Sequence, residues 1–267
     1  MHYHGTMSTT VRKLEGSRVA VQSVILSTNY EAVATLLADA RSFHVQDAAW
    51  QIHRSPQSRF NGKGEAPELV GVEAFFNAGP ALKAVGEAHG DLPRQLMTEC
   101  VKGIILSETY LYKERGYSTL KECDDTFVQT SLNTCYLHSN LDRQTVPWLD
   151  YIANRDWGDL LFDRTHTVTI HYGDGAARAE GLFIDSFHEI HISLETVSGI
   201  ITKVESVLVR VPDPICRETQ GLLSGFENKA VDTLTKQEVG RVCGGGLGCA
   251  HLSDLFSYML KVMDKQI

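Results

Sequence analysis

The chain of 267 residues has a formal net charge of −8, with 43% hydrophobic and 22% charged residues, the balance of an ordinary folded protein rather than a disordered or fibrous one. No Lys/Arg run supplies the basic surface that phosphate binding needs, which excludes nucleic acid as the main partner. No stretch approaches the roughly 20 apolar residues of a spanning helix and the start lacks an apolar signal core, so the expectation is a cytoplasmic protein with no membrane partner.

In chain order, Met1 to Met7 carries His2 and His4 and reads as an irregular start without a role. Ser23 to Glu31 leads into strand-like runs at Ala32–Leu37 and Phe43–Ile52, which end at Arg54-Ser55-Pro56. Thr119–Leu141 and Trp148–Leu161 read as helical connecting segments divided by Pro147. Period-2 alternation marks Thr165–Tyr172, Ala177–Ile184, Ile190–Thr196 and Ile200–Val209 as strands of an antiparallel meander, with Gly173-Asp174-Gly175 at a turn. Glu218–Leu223, Thr235–Cys243 and Ser253–Met263 show helical spacing. Strands followed by helices predict an α+β fold.

An internal repeat is visible in the order of these elements. Ser23 to Glu31 matches Gly181 to Glu189, and Arg54-Ser55-Pro56 matches Arg210-Val211-Pro212. Farther on, Glu99-Cys100 resembles Gly248-Cys249. The expectation is two related modules, each an antiparallel meander followed by helices. A degenerate first repeat would cover 12–115, a helical connection 116–160, and a second repeat with the metal site 161–267. With no flexible linker between them, the copies are expected to pack together, the first shaping a pocket or a homo-oligomer interface.

Six cysteines in a chain of this size without a signal read as free thiols or metal ligands rather than disulfides. His188, Cys216, Cys249 and His251 fall on three elements of the second half, and thiolate and imidazole suit zinc, or iron where geometry allows. Against that stands the plain alternative of buried cysteines and core or surface histidines. The Gly244 to Gly248 run reads as a turn before Cys249. Arg210 and Arg164 are suited to a substrate carboxylate or to structural ion pairs. His191 points to the opposite strand face from His188.

The run Arg164…Tyr172-Gly173-Asp174-Gly175…Gly181…Asp185, then His188-Glu189-Ile190, Arg210-x-Pro212…Cys216 and Gly248-Cys249-Ala250-His251-Leu252, resembles a bacterial domain family of unknown function whose hallmark is Gly-Cys-Thr-His-Leu. The resemblance covers about 160–262. Ala250 replaces the usual Thr, and His188-Glu189-Ile190 stands for the usual His-Asp-Met. The order of strands, ligands and helices is also similar to iron–sulfur scaffold proteins of the IscU/NifU N-terminal type, which implies an IscU/NifU-like fold with His188, Cys216 and Cys249 at ligand positions.

The function expected from the site is a metal-dependent enzyme acting on a small-molecule substrate, with Zn2+ or Fe bound by His188, Cys216 and Cys249. Glu189 or His251 would shuttle a proton, Arg210 would serve the substrate, and binding by His251 as well would close the site. Two alternatives stay open: a non-catalytic metal or iron–sulfur handling protein, and a metal-free enzyme using Cys216 as nucleophile.

Overall fold

A computed structural model describes residues 2–152 and 158–264. It is an α+β protein of antiparallel strands and helices. Among the described residues, no helix is long and apolar enough to cross a membrane. Two compact units emerge: an N-terminal unit of Gly5–Cys123 and Arg155–Thr165, and a C-terminal unit of Met1–His4, Asp124–Asn154 and His166–Ile267.

The strands of the N-terminal unit are β1 (His2–Leu14, from Gly5 onward), β2 (Arg18–Ser27), β3 (Glu31–Asp39), β4 (Val45–Arg54) and the short β5 (Gly62–Glu65). They are ordered β5-β4-β3-β2-β1. β1 corrects the sequence reading, which left the first residues irregular. Its inward residues Tyr3, Met7, Thr9 and Val11 are buried at every second position, the mark of a one-sided strand. Helices α1 (Gly79–His89) and α2 (Asp91–Ser107) follow, and α2 lies on β2 and β3.

In the linking stretch, helix α3 spans Leu120–Ser131 and α4 spans Trp148–Ile152. The predicted helix over Trp148–Leu161 is therefore shorter. Residues 153–157 lie outside the described residues, and Leu160 already begins β6 (Leu160–Gly173). Phe162, Arg164, His166, Val168 and Ile170 alternate inward there, a period of two that overrides any helical reading.

The C-terminal unit continues with β7 (Ala176–Asp185), β8 (Glu189–Val197) and β9 (Ile200–Arg210), in the order β6-β7-β8-β9. The predicted strands fall inside these elements. Ser198 (φ 50°) and Gly199 (φ 77°) make the two-residue β8–β9 hairpin, whose primed turn requires positive φ at both positions. The predicted helix at Glu218–Leu223 belongs to a longer 3-10 stretch, Pro214–Phe226. That stretch satisfies the free edge of β9: Gln220 Oε1 accepts from Leu208 N, and the Arg217 guanidinium donates to Leu208 O and Val209 O. Helices α5 (Lys236–Cys243) and α6 (Ala250–Asp264) complete the unit, with α6 on β7 and β8. α6 comes so close to β7 that a Cβ at Gly181 would meet Met259 Sδ at 2.4 Å.

The registers of the two units coincide. β3 pairs Glu31 with Arg54 and shifts between Glu31 and Ala32, then between Leu37 and Ala38. β8 pairs Glu189 with Arg210 and shifts between Glu189 and Ile190, then between Glu195 and Thr196. The buried positions of α2 and α6 share one period as well. Setting Asp91 on Ala250 superposes the buried faces Pro93/Leu252, Leu96/Leu255, Met97/Phe256, Cys100/Met259, Val101/Leu260 and Ile104/Met263. In that alignment Cys100 falls opposite Met259, and Cys249 opposite Gly90.

Candidate metal centre

The centre is built on the turn between β7 and β8. Asp185 N donates to His188 O at 3.0 Å, closing the turn. The Asp185 side chain turns back on its own backbone: Oδ1 accepts from Phe187 N at 2.7 Å and His188 N at 2.5 Å, an Asx-type arrangement that a short carboxylate is suited to make. Arg210 locks the same turn from β9, its guanidinium donating to Asp185 O (2.6 Å), Ser186 O (2.9 Å) and His188 O (3.0 Å).

His188 Nδ1 lies 3.1 Å from Asp185 Oδ1 and 3.3 Å from Oδ2. His251, from the first turn of α6, brings Nε2 to 3.6 Å from Asp185 Oδ2. The two imidazoles face each other with ring centroids 3.9 Å apart. Among the described residues, Asp185, His188 and His251 form the one group of three or more His, Cys, Asp or Glu ligands whose donor atoms lie within 4.8 Å of one another. Side-chain exposure rises from 0% at Asp185 through 11% at His188 to 19% at His251, so His251 is the member nearest solvent. Phe183 packs against the His251 ring at 5.2 Å, and Phe187, itself edge-on to Trp148, flanks His188.

Burial alone pushes the Asp185 carboxyl upward. The adjacent His188 imidazole, then His251 and the Phe187 N–H, outweigh it and hold the group well below the usual carboxylate range. The centre therefore favours an ionised carboxylate against two imidazoles.

Of the ligands expected from sequence, His188 and His251 belong to this group, whereas Cys216 and Cys249 lie outside it. Burial raises the Cys216 thiol to about 11 and the Cys249 thiol to about 12, so both are protonated near neutrality. Cys249 caps α6, its sulfur accepting from the backbone N–H groups of Leu252 and His251. Cys135, which the sequence reading passed over, comes alongside: Tyr136 N donates to Gly248 O at 2.7 Å, and the Cys135, Cys216 and Cys249 thiols oppose one another's ionisation. Glu189 is outside the group and pairs with exposed His191 at 3.2 Å. Arg164 is buried against Glu99 at 3.5 Å in the N-terminal unit, a structural ion pair. Arg210 spends its donors on the turn carbonyls, which makes it a positioning residue.

Asp185 is the member of the group that the sequence reading did not name among the site residues. Its signal was local: an Asp three residues before a His at a strand end, where a short carboxylate both caps the turn and meets the imidazole. The Gly run before Cys249 is structural at Gly248, where a Cβ would stand 2.1 Å from Cys243 O.

The N-terminal unit repeats the turn without the ligands. Ser27 N donates to Tyr30 O at 2.8 Å, and Ser27 Oγ accepts from Asn29 N and Tyr30 N. Arg54 donates to Thr28 O at 2.8 Å and Ser27 O at 2.6 Å. Ser27 and Tyr30 hold, within this turn, the positions that Asp185 and His188 hold in the other.

No family model, curated protein or solved structure matches this chain.

Proposed function

We propose that Asp185, His188 and His251 hold a divalent metal ion, zinc or ferrous iron, and that the chain is a metal-dependent enzyme acting on a small molecule. The observation that carries this reading is the convergence of three donor atoms within 4.8 Å of one another around an ionised, buried carboxylate. The separations of Asp185 Oδ2 from His188 Nδ1 (3.3 Å) and His251 Nε2 (3.6 Å) are near the ligand–ligand edge of a tetrahedral zinc site, about 3.3 Å for bonds of about 2.0 Å. Two imidazoles and one carboxylate are the donor set of open zinc sites and of non-haem iron(II) sites. Bound there, the ion supplies Lewis-acid polarisation or a water of lowered pKa. The chain's own residues fix the ligand turn through Arg210 and Asp185 and line the imidazoles with Phe183 and Phe187.

The raised thiols of Cys216 and Cys249 weigh against a cysteine nucleophile, because a protonated thiol attacks poorly. We further infer that the two units are diverged copies of one module, of which the C-terminal copy alone keeps the ligands. The matching bulges, arginine clamps and helix faces support this reading.

The test is metal analysis of the purified chain after desalting, with cobalt(II) as an optical probe. One ion per chain retained through desalting is expected, with tetrahedral d–d absorption at the first equivalent of cobalt, both lost in His188→Ala and His251→Ala. A chain that neither retains nor takes up an ion, or variants that bind as the parent does, would overturn the proposal.

A further inference from the structure

A second pair of imidazoles stands on the opposite, solvent-facing side of the strands in the C-terminal unit. His2 and His4 alternate with buried Tyr3 along the start of β1, so both face outward. On β6, Thr169 and His171 flank buried Ile170 and face outward likewise. The two strands meet there side chain to side chain. His2 Nδ1 is 3.3 Å from His171 Nδ1 with ring centroids 4.7 Å apart, and His4 Nδ1 is 3.0 Å from Thr169 Oγ1.

Two imidazole nitrogens at 3.3 Å share one proton between them when both rings are neutral, one donating and the other accepting. The same separation is the edge of a tetrahedron around zinc, about 3.3 Å for Zn–N bonds of about 2.0 Å. A cation that replaces the shared proton therefore meets both nitrogens at bonding distance without moving the backbone. The two rings already meet in this arrangement, so binding an ion asks for little change of rotamer. Both rings are exposed, so an ion arrives from water without crossing the core. We propose that His2 and His171 form a surface site for a tetrahedral divalent cation, zinc being the type, with its two outer positions filled by water.

This site differs in chemistry from the buried group. It offers two neutral donors and no carboxylate, so it leaves the full ionic charge uncompensated and binds more weakly, with exchange against solution. It does not depend on the Asp185 group.

The experiment is calorimetric titration of Zn2+ into the full chain carrying His188→Ala and His251→Ala, then into the same chain with His171→Ala or His2→Ala added. The expected result is one equivalent of zinc in the first protein and a loss of affinity of about tenfold or more in the others. Should the background variant fail to fold, the otherwise unaltered chain is used: two equivalents should fall to one with His171→Ala, whose exposed side chain carries no core packing. Zinc binding that is absent in the folded background, or indifferent to both His2 and His171, overturns the proposal.

Discussion

Replacing Arg210 by Lys separates what the turn needs from what the metal centre needs. Lys keeps the charge but replaces a planar fork with a single ammonium, which cannot reach the three carbonyls of Asp185, Ser186 and His188 together. With hydrogen bonds from charged donors contributing about 1.5–3 kcal/mol each and partial rescue by the ammonium, the loss of stability should be about 2–3 kcal/mol. Arg54 provides an internal control, because it donates to the carbonyls of Ser27 and Thr28 in a turn that carries no ligands. Arg54→Lys should therefore cost a similar amount. Urea unfolding measures both costs, and competition against a chromophoric zinc chelator measures affinity. Arg210→Lys should weaken metal binding at the Asp185 group by about tenfold, with a shifted cobalt spectrum, while Arg54→Lys leaves affinity unchanged. Equal loss of stability with unaltered affinity and spectrum in Arg210→Lys would refute the view that this clamp positions the ligands.

Gly248→Ala should lower stability by about 3 kcal/mol or more, read by thermal unfolding, because the added Cβ meets the Cys243 carbonyl at 2.1 Å and backbone must move. Asp213 tests acid sensitivity: Ile215 N, Thr145 N and Val146 N donate to its carboxylate, and although burial opposes the charge these N–H groups hold its pKa below the ordinary value. A depressed folded pKa means that this stabilisation is complete above the unfolded value near 3.9 and is lost as pH falls through the lower folded value. Asp213→Asn should thus flatten the acid limb of a stability–pH curve, and an unchanged limb would count against the assignment. Ser27→Asp, Tyr30→His and Leu92→His together should give the N-terminal unit a metal site of its own, seen as one extra cobalt ion per chain; no added ion would weigh against equivalent modules.

Local periodicity made most of the strands legible. In β8 the buried Ile190, Ile192 and Leu194 alternate with His191, Ser193 and Glu195, and in β7 Ala177, Ala179 and Phe183 are buried on one face. β1 was not legible for a physical reason: its inward set includes Tyr3, Gly5 and Thr9, small or polar groups that carry little hydrophobic signal. The stretch Pro214–Phe226 read as helix because 3-10 and α periodicities are close over two turns. Of the three grouped residues, His188 and His251 were named from their motifs, whereas Asp185, which lies with them in the structure, was not. Sequence gives the residues near a turn, whereas the direction of a thiol that caps a helix is set by tertiary packing.

Cys100 and Cys249 invited pairing because cysteine is rare, yet the burial periods of α2 and α6 set Cys100 against Met259, two soft side chains that fill the gap between helix and sheet. Cys100 is fully buried, with Sγ 3.9 Å from Ala34 O above β3; Met259 lies over Gly181 of β7. Packing volume, rather than residue identity, is what α2 and α6 share at this level. In the proposed duplication, Cys249 and His251 would have Gly90 and Leu92 as their counterparts. The ligand turn and the first turn of the helix therefore differ together between the units, as expected if the donors on both elements serve one ion, while the arginine clamp persists in both because the turn needs it with or without a metal.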